Sequence, residues 1–192
     1  VVKGSYLFNF FIFISFLIIS YEWHMMTKKK FYSYFGYVFL IFSFYSIYSL
    51  RNNFNFDYSF VLLIISICVF TDIGGYLFGK LFKGPKLTNV SPNKTYSGVF
   101  GGYFLSILIC YLLYNQSKFF FKKEIPELNI ILFIFLVSTI SQLGDIYISY
   151  FKRLSKIKDT GKIIPGHGGL LDRVDGMIFA FPFSYIFLSF NF

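Results

Sequence analysis

Charged and glycine residues crowd into one stretch of this sequence, KDTGKIIPGHGGLLDRVDG at 158–176. Asp172 and Asp175 are three residues apart at the start of an apolar run, so on a helix they share a face and can hold one divalent cation. Gly168 and Gly169 allow backbone amides to approach an oxyanion near that helix N-terminus. This combination is typical of a site for a metal-bound polyphosphate, although the two aspartates are also suited to capping a helix.

Two earlier stretches carry polar groups of the same kind. Asp72 lies in TDIGGYLFGK, where close helix packing explains the glycines but not the carboxylate. The SPNKT segment at 91–95 offers the Lys94 ammonium as a point charge and the Thr95 hydroxyl as a donor, both suited to phosphate. A solvated turn would have a similar composition, so this segment alone is a weak signal.

A polar stripe runs through the apolar block that precedes the glycine-rich stretch. Its members recur every three or four residues and therefore share one helical face: Ser138, Ser141, Gln142, Asp145, Ser149 and Lys152. Hydrogen bonding between helices is the simpler interpretation for Ser138 and Ser141. Asp145 is different, because a carboxylate near the membrane interior needs a cation or a donor and tends to be functional.

The composition requires these groups to be positioned by membrane helices. Of the 192 residues, 56% are hydrophobic and only 14% are charged, against about 25% charged in soluble domains. The mean hydropathy is +0.62. Six apolar blocks approach or reach the length of a span, about 17 to 25 residues, and lie at about 6–21, 31–50, 58–78, 100–114, 128–150 and 174–192. The sequence therefore predicts an all-α bundle of about six transmembrane helices, in a single domain over 1–192.

Basic residues predict how the chain is oriented. Most of the 18 lysines and arginines lie before the second, fourth and sixth blocks, at 28–30, 80–94 and 152–173. By the positive-inside rule these loops face the cytoplasm, which places the candidate chemistry on one side of an inner or plasma membrane. The net charge of +9 reflects this bias. We expect no nucleic-acid partner, because the basic residues are dispersed over separate loops.

The segment SYFKRLSKIKDTGKIIPGHGGLLDRVD at 149–175 resembles the signature of phosphatidate cytidylyltransferases, also called CDP-diacylglycerol synthases. SQLGD at 141–145, TDIGGYLFGK at 71–80 and SPNKT at 91–95 resemble further parts of the family pattern, and YEW at 21–23 resembles a shorter element. The chain departs from the pattern at Ser97, where Glu or Gln is usual, and at Ile148, where Glu is usual. It is also shorter at its N-terminus than typical members.

The resemblance implies transfer of a cytidylyl group from CTP to phosphatidic acid with Mg²⁺, giving CDP-diacylglycerol and pyrophosphate, and it suggests a homodimer. We expect metal binding by Asp145, Asp172 and Asp175. We expect phosphate contacts from Lys94, Lys152, Arg153 and Arg173, and orientation of the phosphates by Ser91, Thr95, Gly168 and Gly169. Asp72, Lys158, Asp159 and His167 match the family pattern without an individual role.

Three alternatives remain open from the sequence. One is a CTP-dependent membrane enzyme that acts on another lipid phosphate or a polyprenol. A second is an ion transporter, although the internal repeats or paired broken helices typical of transporters are not evident. The third is an inactive paralogue, which would bind its substrates without turnover. CDP-alcohol phosphatidyltransferases are disfavoured because Phe179 and Ala180 do not fit their motif.

Overall fold

A computed structural model describes residues 5–28, 30–52, 58–88, 90–116, 127–163, 166 and 168–191. These described residues form six α-helices and no strand longer than an isolated bridge. The helices are α1 (Ser5–Thr27), α2 (Ser33–Asn52), α3 (Tyr58–Phe82), α4 (Tyr96–Gln116), α5 (Glu127–Leu154) and α6 (Leu171–Asn191).

The all-α architecture predicted from the apolar blocks is confirmed. Each of the six described helices is long and apolar enough to cross a membrane, so the chain is a multi-pass integral membrane protein. The helices extend beyond the blocks because polar residues at their ends still fit helical geometry. Thr95, for example, caps α4 by accepting a hydrogen bond from the Gly98 amide at 3.1 Å, and α4 therefore begins before residue 100.

Alternating helix directions bring three loops to one end of the bundle, at 28–32, 83–95 and 155–170. The loops contact one another there. Lys30 Nζ donates to the Leu154 carbonyl at 2.9 Å, and Arg153 Nε donates to the Val90 carbonyl at 3.4 Å. The loops with candidate chemistry therefore share one end, and the cytoplasmic orientation of that end stays a prediction.

Glycines allow two pairs of helices to cross closely. A Cβ on Gly98 would lie 2.7 Å from the Gly75 carbonyl oxygen, so the backbones of α3 and α4 are in direct contact. A Cβ on Gly144 would lie 2.6 Å from the Phe179 ring, which fixes the crossing of α5 and α6. The glycines of TDIGGYLFGK therefore allow α3 to pack closely against α4, as predicted from the sequence.

The apolar interior divides into two clusters. The first fills the space between α3, α5 and α6 and includes Ile64, Ile67 and Phe133, all fully buried. The second joins α1 to α5 and α6, where the Trp23 and Phe151 rings meet edge to face at 5.3 Å. This second cluster sets α1 beside the start of α6.

Candidate active site

The loop between α3 and α4 is folded so that it presents Lys94 to α5. An isolated bridge pairs Lys86 with Thr95, and the Leu87 amide donates to the Lys94 carbonyl at 2.8 Å. The Tyr96 amide then donates to the Pro85 carbonyl at 3.2 Å. These bonds fix the backbone on both sides of Lys94, so its side chain has a defined direction.

Lys94 forms an ion pair with Asp145 of α5. The two side chains retain 25% and 29% of their exposure, so neither is sealed from a ligand. Ser149, one turn further along α5, donates to the second Asp145 oxygen at 3.4 Å. Asp145, the carboxylate that we expect to need a cation, is therefore paired with Lys94.

This ion pair lies in a cavity of about 330 Å³ between α3, α4 and α5, here called the polar cavity. Five of the predicted site residues line it, namely Asp72, Ser91, Lys94, Thr95 and Asp145. Asn93 and Gln142 line it as well, and Gln142 Nε2 is buried without a hydrogen-bond partner among the described residues. Because this nitrogen is itself buried, the Gln142 side chain has to turn before it can donate to a ligand in the cavity.

A second polar group surrounds Asp172 at the start of α6. Its Oδ1 accepts from Lys152 Nζ at 2.9 Å. Its Oδ2 accepts from the Thr160 amide at 2.8 Å, the Thr160 hydroxyl at 3.0 Å and the Gly169 amide at 2.9 Å. Oδ2 is therefore crowded by donors of the protein, and Oδ1 already faces the positive charge of Lys152.

Gly168 and Gly169 lie against this carboxylate. Gly168 has a φ of 87°, in the left-handed region that glycine tolerates, and a Cβ on it would lie 2.8 Å from Asp172 Oδ2. The Gly169 amide already donates to Asp172. Phosphate orientation by these amides stays a prediction, and for Gly169 it requires that bond to be exchanged.

Glu22 completes the second group, a role that the resemblance of YEW at 21–23 to a family element does not indicate. Glu22 Oε1 accepts from the Leu170 amide at 2.9 Å. Its Oε2 accepts from the Leu171 amide at 2.7 Å and lies 3.1 Å from the Thr160 hydroxyl, whose single proton is shared between Glu22 and Asp172. We refer to Glu22, Thr160, Asp172 and Lys152, with the amides of residues 169–171, as the α6 clamp. A glutamate among the apolar residues of the first helix was the available signal.

Asp175 follows Asp172 by about one turn of α6. Its Oδ1 accepts from the Gly176 amide at 2.8 Å. Asp145, Asp72 and Lys152 are near enough to act on it electrostatically. Carboxylates from three helices therefore influence one another at this end of the bundle.

The acidic residues have a donor set suited to Mg²⁺. Within the described part of the chain, no three His, Cys, Asp or Glu residues form a complete metal cluster. Mg²⁺ does not require one, because proteins commonly bind it through one or two carboxylates together with substrate phosphates and water. Asp145 and Asp175 fit this pattern better than Asp172, because protein groups donate more hydrogen bonds to Asp172 than to either of them.

The remaining predicted residues lie outside these two groups. Arg153 is exposed and donates to the carbonyls of Val90 and Ile157. Lys158, Asp159 and Arg173 are also exposed. His167 lies outside the described residues. Their predicted roles are untested.

Ser138 and Ile148 of α5 do not line the polar cavity, and both pack against neighbouring helices. Thr71 Oγ1 donates to Ser138 Oγ at 2.8 Å, so Ser138 joins α3 to α5 as the simpler interpretation predicted. Ile148, where the family pattern has Glu, is 4% exposed and packs in the apolar cluster with Trp23 and Phe151. Ile148 does not line the polar cavity, so its replacement of Glu leaves that cavity's lining intact.

This chain is similar to known proteins. Three of those relatives bear the name phosphatidate cytidylyltransferase. The one from Staphylococcus epidermidis is 35% identical over 187 residues, which cover 91% of this chain and 66% of that protein. The one from Bacillus subtilis is 36% identical over 141 residues, covering 73% and 51%. The one from Staphylococcus aureus is 41% identical over 131 residues, covering 67% and 48%.

This chain thus spans between about half and two thirds of the length of these relatives. The model of the cytidylyltransferase family matches residues 2–191, nearly the whole of the sequence. The match includes both the helices that form the polar cavity and the segment that forms the α6 clamp. The chain belongs to the cytidylyltransferase family.

Proposed function

We propose that this chain transfers the cytidylyl group of CTP to phosphatidic acid, giving CDP-diacylglycerol and pyrophosphate. The observation that carries the proposal is the Lys94–Asp145 ion pair, which lies partly exposed in a polar cavity at the end of a membrane-spanning bundle. Such a position gives a water-soluble nucleotide and a lipid headgroup access to the same charges. The names of the relatives support this choice of substrates.

The cavity offers groups that bind phosphate. Lys94 supplies a positive charge, the Thr95 hydroxyl supplies a hydrogen-bonding group, and Gln142 Nε2 supplies an unused donor. In the free protein Asp145 neutralises Lys94, so the ammonium is held in place before a ligand arrives. A phosphate would share Lys94 with Asp145 or displace it.

The reaction itself needs little covalent chemistry from the protein. A phosphatidate oxygen attacks the α-phosphorus of CTP, the bond from that phosphorus to the bridging oxygen breaks, and pyrophosphate leaves. No strong base is needed, because a phosphomonoester with a second pKa of about 6 is mostly dianionic at pH 7. The obstacle is repulsion between two polyanions, and Lys94 and Lys152 would lower it by binding and orienting them.

Asp145 and Asp175 are the residues we assign to Mg²⁺ binding. When bound, the ion would neutralise phosphate charge and polarise phosphoryl oxygens. Asp172 has a different role in this scheme, because its hydrogen bonds hold Lys152 and the loop at 158–170 in place. Lys152 therefore reaches the phosphates from a fixed position.

Conversion of labelled CTP and phosphatidic acid by the purified full chain in detergent or nanodiscs tests the proposal. We expect product with Mg²⁺ and none with a chelator. Asp145→Asn should lower the rate by about 100- to 1000-fold, the scale seen when one group that stabilises transition-state charge is lost. Lys28→Gln, an exposed lysine in another loop at the same end, is the matched control and should convert CTP normally.

Other lipid phosphates and a polyprenyl phosphate form the second arm of this experiment. Turnover of one of them in place of phosphatidic acid would change the assigned lipid and keep the cytidylyl transfer. Folded protein that turns over none of them, with or without metal, would overturn the proposal in favour of an inactive paralogue.

A further inference from the structure

We infer that Glu22 is a positioning residue of the active site, through which α1 fixes the start of α6 and thereby sets Asp172 and Lys152. This inference rests on the proposed function for its kinetic readout. Its geometry is independent of that function. Glu22 is 2% exposed, and both of its oxygens accept hydrogen bonds from the segment at 160–171.

At the start of α6, three backbone amides donate hydrogen bonds to carboxylates of the protein itself. Helix N-terminal amides lack partners within the helix and attract anions. Here the Leu170 and Leu171 amides are taken by Glu22, and the Gly169 amide is taken by Asp172. Glu22 therefore occupies the place at this helix end where a phosphate would otherwise be expected.

The surroundings of Glu22 leave room for no larger neighbour. A Cβ on Gly161 would lie 2.7 Å from Glu22 Oε1, and all of its nearest neighbours would be atoms of Glu22. A Cβ on Gly169 would lie 2.6 Å from Glu22 Oε2 and closer still to Thr160 Oγ1. These contacts are shorter than nonbonded carbon and oxygen atoms tolerate. Glycine is therefore required at 161 by the Glu22 carboxylate and at 169 by Thr160 and Glu22 together.

Thr160 couples Glu22 to the cation of the clamp. Its hydroxyl lies 3.1 Å from Glu22 Oε2 and 3.0 Å from Asp172 Oδ2, and its amide also donates to Asp172. Asp172 in turn holds Lys152 at 2.9 Å. A displacement of Glu22 is thus passed to Lys152 through two hydrogen-bonded residues.

Apolar contacts already attach α1 to the bundle without Glu22. Ile19, Trp23 and Met26 belong to the same buried cluster as Phe151 and Leu171. Burying a carboxylate costs free energy that another apolar side chain would not. A role in setting the geometry of the loop explains why an acidic residue occupies this place.

The experiment uses the full chain with Glu22→Gln, Gly161→Ala, Glu22→Asp and the double variant Glu22→Asp with Gly161→Ala. Glu22→Gln and Gly161→Ala should lower kcat by about 10- to 100-fold, as loss or displacement of a supporting hydrogen-bond partner does. The KM for CTP should change little, because the affected interactions matter in the transition state. Ser46→Ala removes a buried hydroxyl that bonds within α2 and is the control for general destabilisation.

Rescue separates positioning from simple structural support. Aspartate is one methylene shorter, which moves the carboxylate away from the added methyl group. The double variant should therefore recover at least part of the activity that Gly161→Ala loses, because every close neighbour of the added methyl group belongs to Glu22. If the change in activation free energy of the double variant equals the sum of the changes in the two single variants, the proposed contact between Glu22 and the added methyl group is contradicted.

Amide hydrogen exchange supplies a readout that does not depend on turnover. Exchange in residues 157–175 should accelerate in Glu22→Gln and stay unchanged in α3 and α4. If the wild type fails to convert phosphatidic acid, this measurement still decides the role of Glu22. Exchange and kcat in Glu22→Gln equal to those of the wild type would overturn the inference.

Discussion

The polar cavity and the α6 clamp both place carboxylates opposite cations, but they differ in how far protein groups satisfy them. In the cavity, Lys94 and Asp145 keep 25% and 29% of their exposure. In the clamp, Lys152 and Asp172 keep 12% and 6%. Asp172 accepts four hydrogen bonds from the protein, whereas the Gln142 amide in the cavity has an unused donor among the described residues.

This difference indicates a division of labour. Groups with unused hydrogen-bonding capacity are available to bind a ligand, whereas groups whose capacity is used hold the backbone in place. The two regions therefore predict opposite patterns of mutational effects. Changes in the cavity should remove activity with little loss of stability, and changes in the clamp should reduce both.

The largest effect on activity is expected from Lys94→Gln in the cavity. The change removes the cation that faces Asp145, so the rate of CDP-diacylglycerol formation should fall by about 100- to 1000-fold. Stability should change by less than about 1 kcal/mol, because a partly exposed ion pair contributes little. Product formation and thermal unfolding in detergent measure the two quantities.

Lys28→Gln provides the comparison for that variant, since it removes an exposed positive charge from another loop at the same end. A Lys94→Gln protein that unfolds far below the control temperature would break the proposed contrast, because the cavity would then stabilise the fold as the clamp does.

Asp172→Asn in the clamp should lower both the stability of the protein and the rate of product formation. The amide of asparagine cannot accept on both sides, so Lys152 or the Thr160 and Gly169 donors lose their partner. Removing one member of a buried ion pair typically costs about 3 to 5 kcal/mol. The unfolding temperature should therefore fall with the rate, and both are measured on the same preparation. An Asp172→Asn protein with wild-type stability and no activity would instead favour direct metal binding by Asp172.

Much of the fold and of the polar cavity could be predicted from the sequence. Hydropathy identifies six spans because each helix must satisfy its own backbone in lipid and present apolar side chains to it. The motifs that contain Asp72, Lys94 and Asp145 are local, and helix alternation brings them to one end. Their convergence in one cavity agrees with the expectation that these residues form a site.

The α6 clamp was only partly predictable. Asp172 and Lys152 belong to a continuous motif, but their partner Glu22 lies 148 residues before Leu170 in the chain. Helical periodicity relates residues three or four apart and carries no information about such a distant pair. The same limit applies to Gly169, since the sequence does not tell which anion its amide meets in the protein without ligand.

The smallest effect is expected from Ser138→Ala, two turns before Asp145 on the same face of α5. Its hydroxyl lies 2.8 Å from the Thr71 hydroxyl, whose single proton can go to the Ile67 carbonyl at 2.7 Å and does so in the variant. The loss should be about 0.6 kcal/mol, the average for hydrogen bonds between membrane helices, with normal product formation. Unfolding in increasing SDS, compared with the Ser46→Ala control, measures this difference.

If Ser138→Ala lost as much activity as Lys94→Gln, Ser138 would belong to the part of α5 that binds a ligand and not only to the part that packs against α3. Ser138 is fully buried and paired with α3, whereas Asp145 is partly exposed and paired with a loop lysine. Gln142 lies between them, buried in the cavity lining with an unused donor. If Ser138 acts only in packing, the part of the α5 stripe that can meet a ligand begins at Gln142. At that residue the stripe changes from side chains with hydrogen-bond partners in the protein to a side chain whose donor lacks one among the described residues.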